Sequence, residues 1–217
     1  GTALTLRLKT RGAWDVISGL DYRRTETELG RFQGRVFAEL ADHGLLRHRW
    51  TNEGLIAPDV YRSNHPNRAQ LARWKARGIL QVLSLRPGLG SVHRFEAAAC
   101  AELGLTLRNV ALAARAAPQR AALLELLDVF ETMQKPALIH CKSGADRTGL
   151  AGALWAIHME GARVADARRH LGLRHLHLKW SKTGVLDAVL DQFEAEGEAR
   201  GIALRDWITN QYDPTRL

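Results

Sequence analysis

The sequence predicts an α/β fold, a single domain built on a central, mainly parallel sheet of 4-5 strands with helices on both faces. Short apolar runs with strand character alternate along the chain with stretches of helical spacing, the order a parallel sheet requires because each crossover carries a helix. With 217 residues, 46% hydrophobic and 25% charged, the chain has enough apolar material to bury a core of ordinary size. No repeat, low-complexity tract or composition break divides it, so residues 1–24 are read as an N-terminal extension and residues 25–217 as one domain.

The elements follow in order. Leu29, Phe32, Val36, Phe37 and Leu40 have helical spacing, so a helix is expected from Thr25 to about His43, ended by Gly44. Two short strands are expected on either side of a turn at Pro58, one at Leu55–Ala57 and one at Asp59–Ser63. Pro66 is expected to open a helix through Leu71 and Trp74 that Gly78 closes. Ile79–Leu85 reads as a buried strand, Val92–Leu103 as a helix and Leu105–Val110 as another strand. Beyond Pro118, a helix over Gln119–Met133 leads to an apolar strand at Pro136–His140 and a helix over Arg147–Glu160. Val164–Leu171, Val185–Ala195 and Leu204–Tyr212 read as further helices covering one face.

Composition narrows the partners. The chain carries 31 Lys and Arg against 23 Asp and Glu, and 25 of the 31 are Arg, the side chain suited to bidentate contact with phosphate. A polyanionic partner is expected, a phosphorylated protein or an anionic phospholipid, with peripheral contact at a membrane surface. Basic residues are not interleaved with aromatics on a recognised module, so nucleic acid is not expected as a partner. No apolar run reaches the roughly 20 residues of a membrane-spanning helix. Two cysteines are too few for a disulfide framework, and the cytoplasm is the expected location.

The chemistry concentrates in one loop, between the apolar strand ending at His140 and the helix beginning near Arg147: His140-Cys141-Lys142-Ser143-Gly144-Ala145-Asp146-Arg147-Thr148-Gly149. A thiol attacks only as thiolate, and Cys141 would sit beneath a helix N-terminus and beside a cation, both of which lower its pKa. A short loop curled around an anion points its backbone N–H groups inward, and Gly144 permits the close backbone approach this needs. Arg147 closes the cup as a planar fork over two equatorial oxygens. Thr148 can donate its hydroxyl to the sulfur, and His140 can hold the loop by hydrogen bonds. Lys142, Ser143, Gly144, Ala145, Asp146 and Arg147 are therefore the candidate phosphate-binding residues.

This His-Cys-x5-Arg-Thr-Gly pattern resembles the signature of the protein tyrosine and dual-specificity phosphatase superfamily. Val60-Tyr61-Arg62-Ser63-Asn64-His65-Pro66 and Val82-Leu83-Ser84-Leu85-Arg86 resemble segments of its bacterial dual-specificity-like branch, and the likeness runs from about Asn52 to Ala195. Lys142 resembles the residue found beside the nucleophile in phosphoinositide-acting members and also in bacterial tyrosine phosphatases. The resemblance implies a tyrosine-phosphatase-like sheet, phosphomonoester hydrolysis through a phosphocysteine at Cys141, and no metal or organic cofactor.

One part of the family pattern is missing. Members usually take a general-acid Asp from a loop preceding the Cys, here Leu103–Leu124, and that segment contains neither Asp nor Glu. Three solutions are open: Asp146 at the rim of the cup, resembling the loop of myotubularin-type lipid phosphatases; Asp59, ahead of the Tyr61-Arg62-Ser63 segment; or leaving groups that need no acid. Arg115 lies where the acid loop belongs, as a substrate contact or a solvated Arg. Arg62 is a substrate contact, a brace for the loop, or half of a surface ion pair.

The remaining candidates carry blander readings too. Cys100 is a core residue or a resolving thiol for Cys141. The run Arg168, Arg169, His170, Arg174, His175, His177 and Lys179 is a solvated face or a patch for anionic headgroups; no carboxylate or Cys completes a metal set with its histidines. Two other functions compete, a catalytically weak or dead phosphate-binding relative and a rhodanese-like sulfurtransferase. The second would lack the Arg147-Thr148-Gly149 ending.

Overall fold

The computed structural model describes residues 51–113, 116–171 and 184–217. The extension, the helix expected over Thr25–His43, Arg115, and Arg174, His175, His177 and Lys179 lie outside the described residues. The chain forms two compact units: one is Thr51–Gly88 with Ala99–Leu217, and the other is Gly1–Trp50 with Leu89–Ala98. Of the latter only Leu89–Ala98 is described, most of it the first turns of a helix.

Among the described residues the larger unit carries five strands, β1 (Gly54–Ala57), β2 (Val60–Ser63), β3 (Gln81–Ser84), β4 (Thr106–Asn109) and β5 (Ala137–His140). They lie in the order β1-β2-β5-β3-β4; β1 and β2 are antiparallel and every other pairing is parallel. The α/β sheet is thus mainly parallel, as expected, with β1 turned back on β2 through Asp59 at φ +61°. Such a tight reversal places Asp59 in the left-handed region that Asp tolerates better than most side chains.

The helices are α1 (Arg68–Ala76), α2 (Gly90–Leu103), α3 (Arg120–Thr132), α4 (Asp146–Glu160), α5 (Val164–Ala167), α6 (Val185–Glu196) and α7 (Leu204–Asn210). At the start of α1 the Asn67 side chain accepts from the Gln70 N–H (2.9 Å) and the Gln70 side chain accepts from the Asn67 N–H (2.7 Å), a reciprocal cap that starts the helix two residues after Pro66. The helix expected over Val164–Leu171 is shorter, a single α turn followed by a 3-10 turn at Arg168–His170.

Strand alternation sorts the core into two layers. Leu83, Ala137 and Ile139 join α3, α4, α6 and α7 on one face, while Val82 and Leu138 meet Leu71 and Trp74 of α1 and Ala99 and Cys100 of α2 on the other. β3 and β5 are buried on both faces, so the apolar pairs Val82-Leu83 and Leu138-Ile139 at their centres serve both layers of the core. Each fully buried Leu of α3, such as Leu123, Leu126 and Leu127, contributes roughly 1.5–3 kcal/mol by leaving water. β5 is central, and the helices that follow β3 and β5 pack on opposite faces. Chains diverging in this way open a crevice at the carboxyl ends of the two strands, the usual place for a ligand in an open α/β sheet.

Candidate active site

The crevice is occupied by the loop from Cys141 to Ala145 and the first turn of α4. β5 delivers His140 and Cys141 to its carboxyl end, and α4 begins at Asp146, so Asp146 is the first helical residue and not the last loop residue. Leu85 N–H donates to the His140 carbonyl (2.9 Å), tying the strand end to β3.

Five consecutive carbonyls of the loop are held from outside. His140 Nδ1–H donates to Cys141 O (3.1 Å), the His65 N–H to Lys142 O (3.1 Å), Asn52 Nδ2 to Ser143 O (3.0 Å), and one Arg62 nitrogen to Gly144 O (2.6 Å) and, more loosely, Ala145 O (3.4 Å). In a planar trans peptide the C=O and the following N–H point in opposite directions. Pinning these carbonyls outward therefore turns the N–H groups of Lys142, Ser143, Gly144, Ala145 and Asp146 toward the centre, an anion nest. The Gly144 N–H already meets Cys141 Sγ at 3.3 Å, and the Ala145 N–H is taken up by Ser143 Oγ at 3.2 Å.

Cys141 is buried at the base of this nest. Burial, the largest influence, pushes its thiol pKa up; the positive charge of Arg147, the hydroxyl and N–H of Thr148 and the Gly144 N–H together outweigh it and hold the thiol below its ordinary value. Thr148 is fully buried in the first turn of α4, beside the sulfur. Arg147, half-buried, sends one nitrogen between the carbonyls of Leu85 (3.4 Å) and Leu112 (3.5 Å), while its Nε is buried with no hydrogen-bond partner among the described residues. A buried guanidinium N–H in that position is a donor prepared for an anion's oxygen.

The other sequence candidates are placed as follows. His140 is fully buried and packs edge-on against His65 with ring centroids 5.1 Å apart. Lys142 in the loop and Asp146 at the start of α4 are half-buried. Arg62 is completely buried, and its guanidinium is spent on the carbonyls of Gly144, Ala145 and His170 behind the loop. It is therefore a brace and not a substrate contact or a surface ion pair; β2 alternation turns it with Val60 toward the α4 side of the sheet.

Asp59 is corrected as well. It precedes Val60, which pairs with Ala137 at the start of β5, so it sits at the opposite end of the sheet from Cys141, about 13 Å of strand away. It cannot deliver a proton to the cup. Cys100 is buried in the opposite core layer from Cys141, which removes it as a resolving thiol in the folded state. Sequence reasoning missed Asn52 and His65, whose roles depend on backbone positions far along the chain.

Comparison with known proteins adds independent support. A family model described as the tyrosine phosphatase family matches residues 105–163, the stretch from the start of β4 to the end of α4. No curated protein sequence matches the chain. Among solved structures, Pseudomonas aeruginosa TpbA superposes with a TM-score of 0.54 at 21% identity, over 70% of this chain and 91% of that one. Tk-PTP in its active form gives 0.55 at 23%, covering 68% and 99%. The core catalytic domain of the S. cerevisiae PP-IP phosphatase SIW14 gives 0.50 at 18%, covering 70% and 93%. At these identities the likeness is one of fold, and the sequence match falls on the loop that the fold positions. Together they show that the chain has the fold of these phosphatase structures and that residues 105–163, which include the loop, match the tyrosine phosphatase family model.

Proposed function

We propose that the chain hydrolyses phosphomonoesters in two steps through a phosphocysteine at Cys141. The observation that carries this is the buried thiol held below its ordinary pKa at the base of a nest of inward N–H groups. The thiolate attacks phosphorus in line, the bond to the leaving oxygen breaks, and the nest with Arg147 holds the equatorial oxygens as charge gathers on them. Asp146 protonates the departing oxygen. Water then attacks phosphorus, Asp146 takes its proton, and the S–P bond breaks to return thiolate and inorganic phosphate.

The substrate is an anionic phosphorylated molecule, a phosphoprotein or a phosphoinositide or other phospholipid. TpbA has been solved with phosphotyrosine bound, and SIW14 is a phosphatase of PP-IP substrates, so this fold admits both kinds. The 25 Arg residues favour such substrates electrostatically. Phosphate release from phosphopeptides, phosphoinositides and phosphatidylglycerol phosphate, measured side by side, identifies the class.

Turnover of an aryl phosphate should be blocked by vanadate, unchanged by chelator, and abolished in Cys141→Ser with phosphate binding retained; an active Cys141→Ser enzyme refutes the mechanism. Asp146→Asn should slow an alkyl phosphate about 10²–10⁴-fold while sparing an aryl phosphate with a good leaving group. Equal loss on both esters would remove Asp146 as the acid. The absence of any Asp or Glu from Leu103 to Leu124 favours a second reading, a relative that binds phosphate and hydrolyses it poorly, and measurable alkyl-phosphate turnover decides against it.

A further inference from the structure

Among the described residues Arg62 is the largest buried charged side chain, and its acceptors are three backbone carbonyls: His170 O at 3.0 Å, Gly144 O at 2.6 Å and Ala145 O at 3.4 Å. Among the described residues it has no carboxylate partner. A buried cation without a counter-charge is strongly disfavoured, so its retention calls for an anion nearby. We propose that Arg62 is a second, hidden cation of the active site, a positioning residue that sets the inward aim of the loop's N–H groups and whose counter-charge is the Cys141 thiolate or the bound oxyanion. This rests on the assignment of Cys141 as the nucleophile.

Two consequences of geometry support it. The Gly144 and Ala145 carbonyls that Arg62 grips belong to the same peptide units as the N–H groups of Ala145 and Asp146, so the fork fixes the direction of two of the nest's donors. One guanidinium also spans the loop and the His170 carbonyl, tying the cup to the turn packed on α4; a Lys ammonium lacks the planar fork for these three acceptors. Electrostatics agree. Burial pulls the Arg62 pKa down to about 10, partly offset upward by the Cys141 charge, so near neutral pH the guanidinium stays protonated and interacts with the thiolate.

The test separates charge from fork. The rate of Cys141 alkylation by iodoacetamide is followed against pH, and the melting temperature is measured with and without vanadate, for wild type, Arg62→Met and Arg62→Lys. Neither readout needs turnover. In Arg62→Met the alkylation midpoint should rise by about one unit or more and the vanadate upshift should disappear. In Arg62→Lys the midpoint should stay close to wild type, while the vanadate upshift shrinks and kcat/KM on an aryl phosphate falls about tenfold or more.

An unchanged midpoint and upshift in a folded Arg62→Met protein overturn the proposal. If Arg62→Met does not fold, Arg62→Lys decides: a midpoint at the ordinary thiol value overturns the charge role, and wild-type vanadate response and kcat/KM overturn the positioning role. A wild-type Cys141 that itself titrates as an ordinary thiol would sink the nucleophile assignment, and this inference with it. A lowered wild-type midpoint that Arg62→Met leaves in place sinks only this one.

Discussion

At Gly144 two constraints coincide. Its φ is +75°, and a methyl carbon placed on it would lie 2.6 Å from Ser63 O, 2.7 Å from Ser63 C and 2.8 Å from Asn64 N. All three are backbone atoms at the end of β2, so nothing flexible can yield, and the loop itself must move. Gly144→Ala should cost about 1–3 kcal/mol in urea unfolding and lower kcat/KM about 100-fold or more, because displacement of about 1 Å disturbs every donor of the nest. Gly161→Ala is the control: φ is +69° at the end of α4 with nothing within 4 Å, so it carries the backbone strain, about 1–2 kcal/mol, without the loss of rate. An active Gly144→Ala would mean that the nest tolerates a shift. At this scale the cup was legible because Cys141, Gly144, Arg147 and Thr148 are neighbours in sequence and each is a chemically demanding choice. Asn52 was not: it reaches Ser143 O across 91 residues through one side-chain-to-backbone bond, which leaves no pattern in composition or spacing. Arg62 stood between, visible as a candidate, with its role set by a burial that only the assembled sheet defines.

Among the elements, α4 does most to place the site, and its glycines show how. A methyl carbon on Gly149 would meet Leu171 Cδ2 at 2.7 Å and His170 O at 2.8 Å, and one on Gly152 would meet the His170 ring at 3.0 Å. The absent side chains let the Arg168–His170 turn lie directly on α4, and that turn presents the His170 carbonyl that Arg62 grips. Arg168 secures the turn from its far side through Asp191 (2.6 Å) and Glu194 (2.8 Å) of α6, which explains that part of the basic run by structural pairing. Gly149→Ala should therefore destabilise the protein by about 1–3 kcal/mol through overpacking and also slow turnover, since pushing the turn away strains the Arg62 anchor. Stability and kcat/KM measured together check it; a stability loss with unchanged kcat/KM would show that turn and cup are independent. The elements themselves were readable from apolar spacing, which gave the β-α-β alternation and the strand-loop-helix unit. The direction of β1 and the shortness of the Val164–Leu171 helix were not, because the first depends on a two-residue reversal and the second on contacts with α4.

For the molecule as a whole, the C-terminal segment is stapled to the loop that follows β4. Tyr212 is fully buried beyond α7; its hydroxyl donates to Pro118 O (2.8 Å), and Arg120 at the start of α3 donates back to Tyr212 O. Phe193, Trp207 and Tyr212 form a continuous aromatic row, with adjacent ring centroids 5.3 Å apart, that joins α6, α7 and this anchor. Burial, reinforced by the negative charge of Asp213, pushes the Tyr212 pKa up to about 12 from its ordinary value of 10.0. The sign follows from linkage: a raised folded-state pKa means that the unfolded chain loses its proton first, so the contribution is whole below pH 10 and is lost as pH rises through about 12. Tyr212→Phe removes the titration together with the hydrogen bond, and should cost about 1 kcal/mol near neutral pH because Pro118 O is left without its buried donor. Urea unfolding of both proteins from pH 8 to pH 12 reads the difference directly: wild type should lead below pH 10 and lose that lead, relative to Tyr212→Phe, between pH 10 and 12. A lead that stays constant across that range would show that the phenol is not held protonated by the fold, and the C-terminal staple would then owe its strength to the aromatic row and Arg120 alone.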